Sequence, residues 1–157
     1  MSLLRLLFVG RTGDTDLAGA IERYVERTGR LVPTEVVWVK EEKPGERADP
    51  ARILAAEARR ILERLQPRDF LVLCDERGRE LTSPQLAQEL RRWLDASPRS
   101  VTFVVGGAFG LDPGLREKAR AILPLSRLTL AHQLARLVLC EQVYRAVAAL
   151  HGSAYSK

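Results

Sequence analysis

Apolar residues along the chain fall into short continuous runs that alternate with longer stretches where they recur every three or four positions. Leu3–Val9 is a strand-like run ending at Gly10-Arg11-Thr12-Gly13. Asp14 or Thr15 then caps a helix reaching about Thr28, with Leu17, Ile21, Tyr24 and Val25 on one face. Val36–Val39 is a second strand. The charged segment from Glu41 to Asp49, with Pro44 and Gly45, is an exposed loop. Asp49-Pro50 opens a helix to about Leu65, which Pro67 stops. Phe70–Cys74 is a third strand and Asp75–Gly78 a turn. Thr82 or Ser83, followed by Pro84, starts a helix to about Ala96. The wholly apolar Val101–Val105 fits a central strand covered on both faces. Asp112-Pro113 predicts a helix to about Ala121, Ala121–Leu125 a final short strand, and Ala131–Leu150 a last helix.

This alternation predicts one α/β domain over residues 1–157, an open and mostly parallel sheet with helices on both faces. Ligands of such sheets bind beyond the carboxyl ends of the strands. Two segments fall there. Val104-Val105-Gly106-Gly107-Ala108-Phe109-Gly110-Leu111 is a strand running into a glycine-rich turn, either a ligand site or a tight connection alone. It matches neither the dinucleotide fingerprint nor a phosphate loop. Leu125–His132 alternates leucines with short polar residues ahead of the last helix.

Composition narrows the class without choosing a chemistry. Hydrophobic residues at 46% and charged ones at 29% belong to a globular chain. Leu3–Val9 is too short to span a bilayer and lacks a cleavage site after it, so no membrane association is expected. The two cysteines, Cys74 and Cys140, stand in apolar surroundings, which fits a reducing cytoplasm. With two histidines besides, no metal site is expected. The 25 basic residues against 20 acids give a net charge of +5, mostly from arginine, whose planar fork suits phosphates and bases.

The segments gain meaning in combination. Val105-Gly106-Gly107 with Gly110-Leu111, then Ser126-x-Leu128-Thr129-Leu130-x-His132-x-x-x-Arg136, then Glu141-Gln142-x-Tyr144-Arg145-Ala146 and finally Gly152-x-Ala154-Tyr155 resemble the ribosomal large-subunit pseudouridine N3-methyltransferases of the SPOUT superfamily. The resemblance extends to Val9-Gly10 and is densest over residues 101–157. It departs at Cys74, where the family has leucine, at Ala131, where it has proline, and at Ser156, where it has histidine.

The resemblance implies a C-terminal trefoil knot, a homodimer with active sites at its interface, and S-adenosylmethionine as methyl donor. The implied cofactor contacts are Cys74, Gly106 and Leu125, Ser126, Arg127, Leu128, Thr129 and Leu130, largely through their main chain. The implied substrate is large-subunit (23S) ribosomal RNA, at N3 of a pseudouridine in the assembled ribosome. A uracil-type N3 must lose its proton for attack, so a base or a cation beside the anion is needed. Arg145 is a candidate for the cation, or else only pairs with Glu141. His132 is either a base or a structural residue at a helix start. Tyr155 is a candidate for closing over the nucleotide, and Arg11, Arg136 and Lys157 are candidate RNA contacts. The last helix carries apolar residues on more than one face, as a dimer interface or a buried helix would. Two alternatives stay open: a cofactor- or RNA-binding module without catalysis, and an unrelated doubly wound fold holding a nucleotide at Gly106-Gly107.

Overall fold

The computed structural model describes residues 2–152. Tyr155, Ser156 and Lys157 lie outside the described residues. Strand β1 (Leu3–Val9) leads through the Gly10 turn to helix α1 (Thr15–Gly29), where the Asp14 carboxylate accepts from the N–H groups of Asp16 and Leu17. Strand β2 (Thr34–Val39) precedes α2 (Pro50–Glu63), capped by Asp49. Strand β3 (Asp69–Leu73) precedes α3 (Ser83–Asp95), where Thr82 and Gln85 form a reciprocal capping box. Strand β4 (Ser100–Val105), the two-residue β5 (Ala121–Ile122) and α4 (His132–Leu150) complete the order.

The sheet runs β2-β1-β4-β3-β5 and every pairing in it is parallel. Parallel strands are covered on both sides, and side-chain alternation divides the core accordingly. Leu4, Leu6, Phe8, Val101, Phe103 and Val105 pack under α1, α3 and α4. Leu7, Val9, Leu71, Leu73 and Val104 pack under α2.

Two expected elements are shorter than the sequence pattern implied. The helix expected from Asp112 to Ala121 is a single 3-10 turn, Pro113–Glu117. Leu115 is its only buried residue, so no apolar face sustains a longer helix, and the N–H groups of Lys118 and Ala119 fold back onto the Leu115 carbonyl. The strand expected over Ala121–Leu125 pairs only at Ala121 and Ile122. Leu123 still donates to the Leu73 carbonyl at 2.7 Å, but Pro124 has no N–H to continue the ladder.

At the amino ends of the strands, on the α2 face, a polar cluster replaces the apolar core. The Asp69 carboxylate accepts two hydrogen bonds from the Arg99 guanidinium at 2.8 Å, and others from Ser100 Oγ and the Gln66 N–H. Arg5, itself buried, reaches Glu35 at 2.9 Å, the Arg64 carbonyl at 3.0 Å and Asp69 at 3.5 Å. Burial opposes the Asp69 charge, but Arg99, the Gln66 N–H and Ser100 together hold its pKa below the usual value.

Candidate active-site cleft

A cleft of about 600 Å³ opens at the carboxyl ends of β3 and β4, of the size that holds a cofactor. Its floor is Cys74, Val105 and Gly106. The 106–111 turn forms one wall and Leu125–His132 the other. Seven of the eight sequence-derived cofactor positions meet there: Cys74, Gly106, Leu125, Ser126, Leu128, Thr129 and Leu130. Arg127 is not among the lining residues and pairs with Glu80 at 2.8 Å on the exposed outside of the loop.

The need for glycine in the first wall has a cause different from ligand approach. A Cβ at Gly106 would lie 2.3 Å from the Gly110 carbonyl oxygen. Gly110, at φ +86°, turns the chain back, and its N–H donates to the Gly107 carbonyl at 3.0 Å. Residue 106 is therefore glycine because the turn closes on itself, and a larger residue there disrupts the wall before it meets any ligand. The thiol of Cys74 is pushed far up by burial and stays protonated, so it serves as an apolar floor and not as a nucleophile.

The second wall is held by Ser126, whose hydroxyl accepts from the Leu128 N–H at 2.9 Å. This turn presents Leu128, 78% exposed, to the cleft. The wall ends where α4 begins. Ala131 occupies the cap position without a side-chain hydrogen bond, so the positive end of a 19-residue helix opens uncapped beside the cleft. His132 and Ala135 line the same edge. Burial first, then the Arg136 charge, lowers the His132 pKa against a smaller opposing effect of Glu41, which leaves the imidazole neutral at neutral pH.

The remaining sequence-derived positions scatter. Arg136 is 0% exposed: its guanidinium donates to the Val9 carbonyl at 2.6 Å and Thr12 Oγ1 at 3.0 Å, and lies 5.0 Å from the centre of the Phe8 ring. A fork so engaged fastens α4 to the turn after β1, which corrects the expectation of an RNA contact. Arg145 pairs with Glu141 at 2.6 Å, four residues earlier on α4, and does not line the cleft. Arg11 is exposed, with its guanidinium 4.5 Å from the centre of the Trp38 ring. Along α4, Leu139, Val143 and Val147 belong to the core of the single chain, while Leu134 is exposed. Phe109 and Leu111 line the cleft from the glycine-rich segment, and Asp75 and Glu76 are cleft residues that sequence reasoning misses. The position of Asp75–Gly78 directly after β3, at a strand's carboxyl end, is the signal that marks it as more than a turn.

Behind the glycine turn, Glu57 of α2 is 5% exposed, with Oε2 accepting from the Glu42 N–H and Oε1 lacking a partner. Burial raises its pKa, the Glu42 N–H lowers it, and Glu41 and Glu42 raise it against Arg60. An acid whose folded pKa is raised costs stability above that pKa, and the cost vanishes as pH falls through it. Glu57→Gln keeps an acceptor for the Glu42 N–H and removes the charge. It should raise stability by about 1 kcal/mol at pH 8 and progressively less toward pH 4, measured by urea unfolding. A destabilised variant at pH 8 would show that the carboxylate is needed ionised.

The family model described as "Predicted SPOUT methyltransferase" matches residues 2–156. The chain belongs to that family of methyltransferases. Among its relatives, "Ribosomal RNA large subunit methyltransferase H" of Anaeromyxobacter sp. (strain Fw109-5) is 44% identical over 154 residues, covering 98% of this chain and 99% of the relative. The protein of the same name from Maridesulfovibrio salexigens is 37% identical over 155 residues, covering 99% and 98%. The crystal structure of a probable methyltransferase from Bordetella pertussis superposes with a TM-score of 0.57 at 21% identity, covering 93% of this chain and 96% of that one, and shares the fold. The strand order is consistent with the knotted arrangement implied by the sequence resemblance.

Proposed function

We propose that the chain methylates large-subunit ribosomal RNA, at N3 of a pseudouridine in the assembled ribosome, with S-adenosylmethionine bound in the cleft. The observation that carries this reading is the meeting of the 106–111 turn and the 125–130 loop around one cleft, with an uncapped helix start at its edge. The chemistry of the lining fits such a cofactor. Leu111, Leu125, Leu128 and Leu130 offer apolar surface to an adenine ring. The start of α4 offers N–H groups and a positive dipole end to a carboxylate. The names of the relatives support the ribosomal substrate.

When bound, the cofactor supplies a methyl group on a sulfonium leaving group. The chain's own part is alignment, exclusion of water and handling of one proton. The base in this reading is His132, which is supported by its position at the cleft edge. The dimer supplies what one chain lacks. Helix α4 starts at the cleft and ends at His151, beside Ser2 and Pro98 at the opposite end of the sheet. On this reading Arg145, Tyr155 and Lys157 serve a partner's cleft, through an interface that includes the exposed Leu134. No helix among the described residues is long and apolar enough to cross a membrane, and the substrate reading places the chain in the cytoplasm.

Ala108 is exposed and lines the cleft, so Ala108→Trp fills it without entering the core. Calorimetry should show S-adenosylmethionine affinity falling by a factor of about 30 or more, with thermal stability unchanged. Unaltered affinity places the cofactor elsewhere. Methyl transfer to ribosomes by the unmodified chain, mapped by mass spectrometry, tests the substrate.

A further inference from the structure

The edge strand β2 exposes one large aromatic residue at the same end of the sheet as the cleft. Trp38 pairs in register with Phe8 of β1 and is 38% exposed, whereas Trp93, the other tryptophan, is 4% exposed within the core. Val37 and Val39 on either side of it are buried under α2, so Trp38 faces the α1 and α4 side of the sheet. The Arg11 guanidinium, carried by the turn after β1, sits 4.5 Å from the centre of the Trp38 ring, and Arg11 is itself exposed.

This turn is not loosely placed. Gly10, at φ +80°, donates to the Val39 carbonyl at 2.7 Å. The buried Arg136 grips Val9 and Thr12 on either side of Gly10 and Arg11, and Gln133 accepts from the Asp14 N–H at 3.0 Å. Arg136 and Gln133 both belong to the first turns of α4, whose His132 and Ala135 line the cleft. The sheet order puts β2 two strands from β4, so Trp38 stands on the order of 10 Å from the cleft floor.

We propose that Arg11 and Trp38 form a stacking platform for an unpaired RNA nucleotide flanking the methylated one. The proposal rests on the RNA substrate read above and names the part of the surface that holds it. Base rings stack on aromatic and guanidinium planes alike, and a phosphate is drawn to the same arginine. Exposed Lys40 extends the positive charge, and Glu41, packed against Gly10, is the acid at its border. The basic excess of the chain complements RNA, where a second apolar protein surface would leave Arg11 desolvated.

The test uses the full chain and ribosomal particles that lack the methyl group. Trp38→Ala should raise KM for the particles, and weaken their cosedimentation with the protein, by ten- to a hundredfold, a typical loss for one stacked base. Its kcat, its affinity for S-adenosylmethionine by calorimetry and its light-scattering mass should not change. Trp38→Phe should restore most of the affinity, and Arg11→Ala should weaken binding and flatten its salt dependence. Unchanged KM and cosedimentation in both alanine variants overturn the platform, as does a change of mass, which would assign Trp38 to contact between copies. If the unmodified chain neither binds nor methylates the particles, the RNA reading itself fails, a result distinct from failure of the platform alone.

Discussion

A chain lacking residues 153–157 should bind S-adenosylmethionine as the full chain does, yet methylate ribosomal particles at least about a hundredfold more slowly. The argument is one of reach. Helix α4 has 19 residues and carries the chain about 28 Å from the cleft edge. It ends beside Ser2 and Pro98, at the end of the sheet opposite the cleft. In the proposed dimer, a tail that acts on the target nucleotide acts in the second copy. Mixed dimers of the tail-deleted chain with an Ala108→Trp chain should then recover activity that neither variant has alone. Ser156 offers a hydroxyl with no basicity near neutral pH, so Ser156→His should be tolerated or raise the rate. Lost cofactor affinity on deletion would assign the tail to the cofactor pocket, and absence of recovery in mixed dimers would end the two-copy reading.

Asp69→Ala should be the most destabilising single change at the amino-terminal end of the sheet, by about 3–5 kcal/mol. The Asp69 side chain is 1% exposed, and its loss leaves the Arg99 guanidinium, the Ser100 hydroxyl and the Gln66 N–H without the carboxylate that accepts from them, while Arg5 keeps Glu35. The pH dependence follows the same contact. The folded pKa lies below the unfolded one, so the contribution is complete above about pH 4 and disappears as pH falls through the lowered value. Urea unfolding between pH 2 and 7 should show this loss in the unmodified chain and its absence in Asp69→Asn. Equal pH slopes in the two would mean that other carboxylates govern acid unfolding.

Much of this architecture is visible in the pattern of residues because local physics decides it. Asp14, Asp49 and Thr82 cap the helices that their positions foretell, and the wholly apolar Val101–Val105 is a central strand. The helix expected after Asp112 fails because a cap and a proline start a turn but only buried apolar contacts prolong it, and Leu115 stands alone. The meeting of Cys74, Gly106 and the 125–130 loop, Arg127 excepted, at one cleft follows from the family resemblance alone, since no local pattern reports which strand ends are neighbours. Arg136 illustrates the limit. An arginine on a helix reads as a surface charge, and only the packing of α4 against β1 shows that its partners are a backbone carbonyl and a hydroxyl. Trp38 was hidden for the opposite reason, because an aromatic residue between two buried valines reads as core.

The Arg136 bond to Val9 joins residues 127 positions apart, and that distance has a consequence for synthesis. During translation the first strand leaves the ribosome long before its partner on α4 is made. Contacts of such separation form late, after shorter loops have closed. The turn bearing Gly10 and Arg11 gains its fastening, and the cleft its uncapped helix edge, only when the last helix has emerged and docked. A nascent chain stalled before Arg136 thus lacks both the fastening of the turn after the first strand and the helix edge of the cleft.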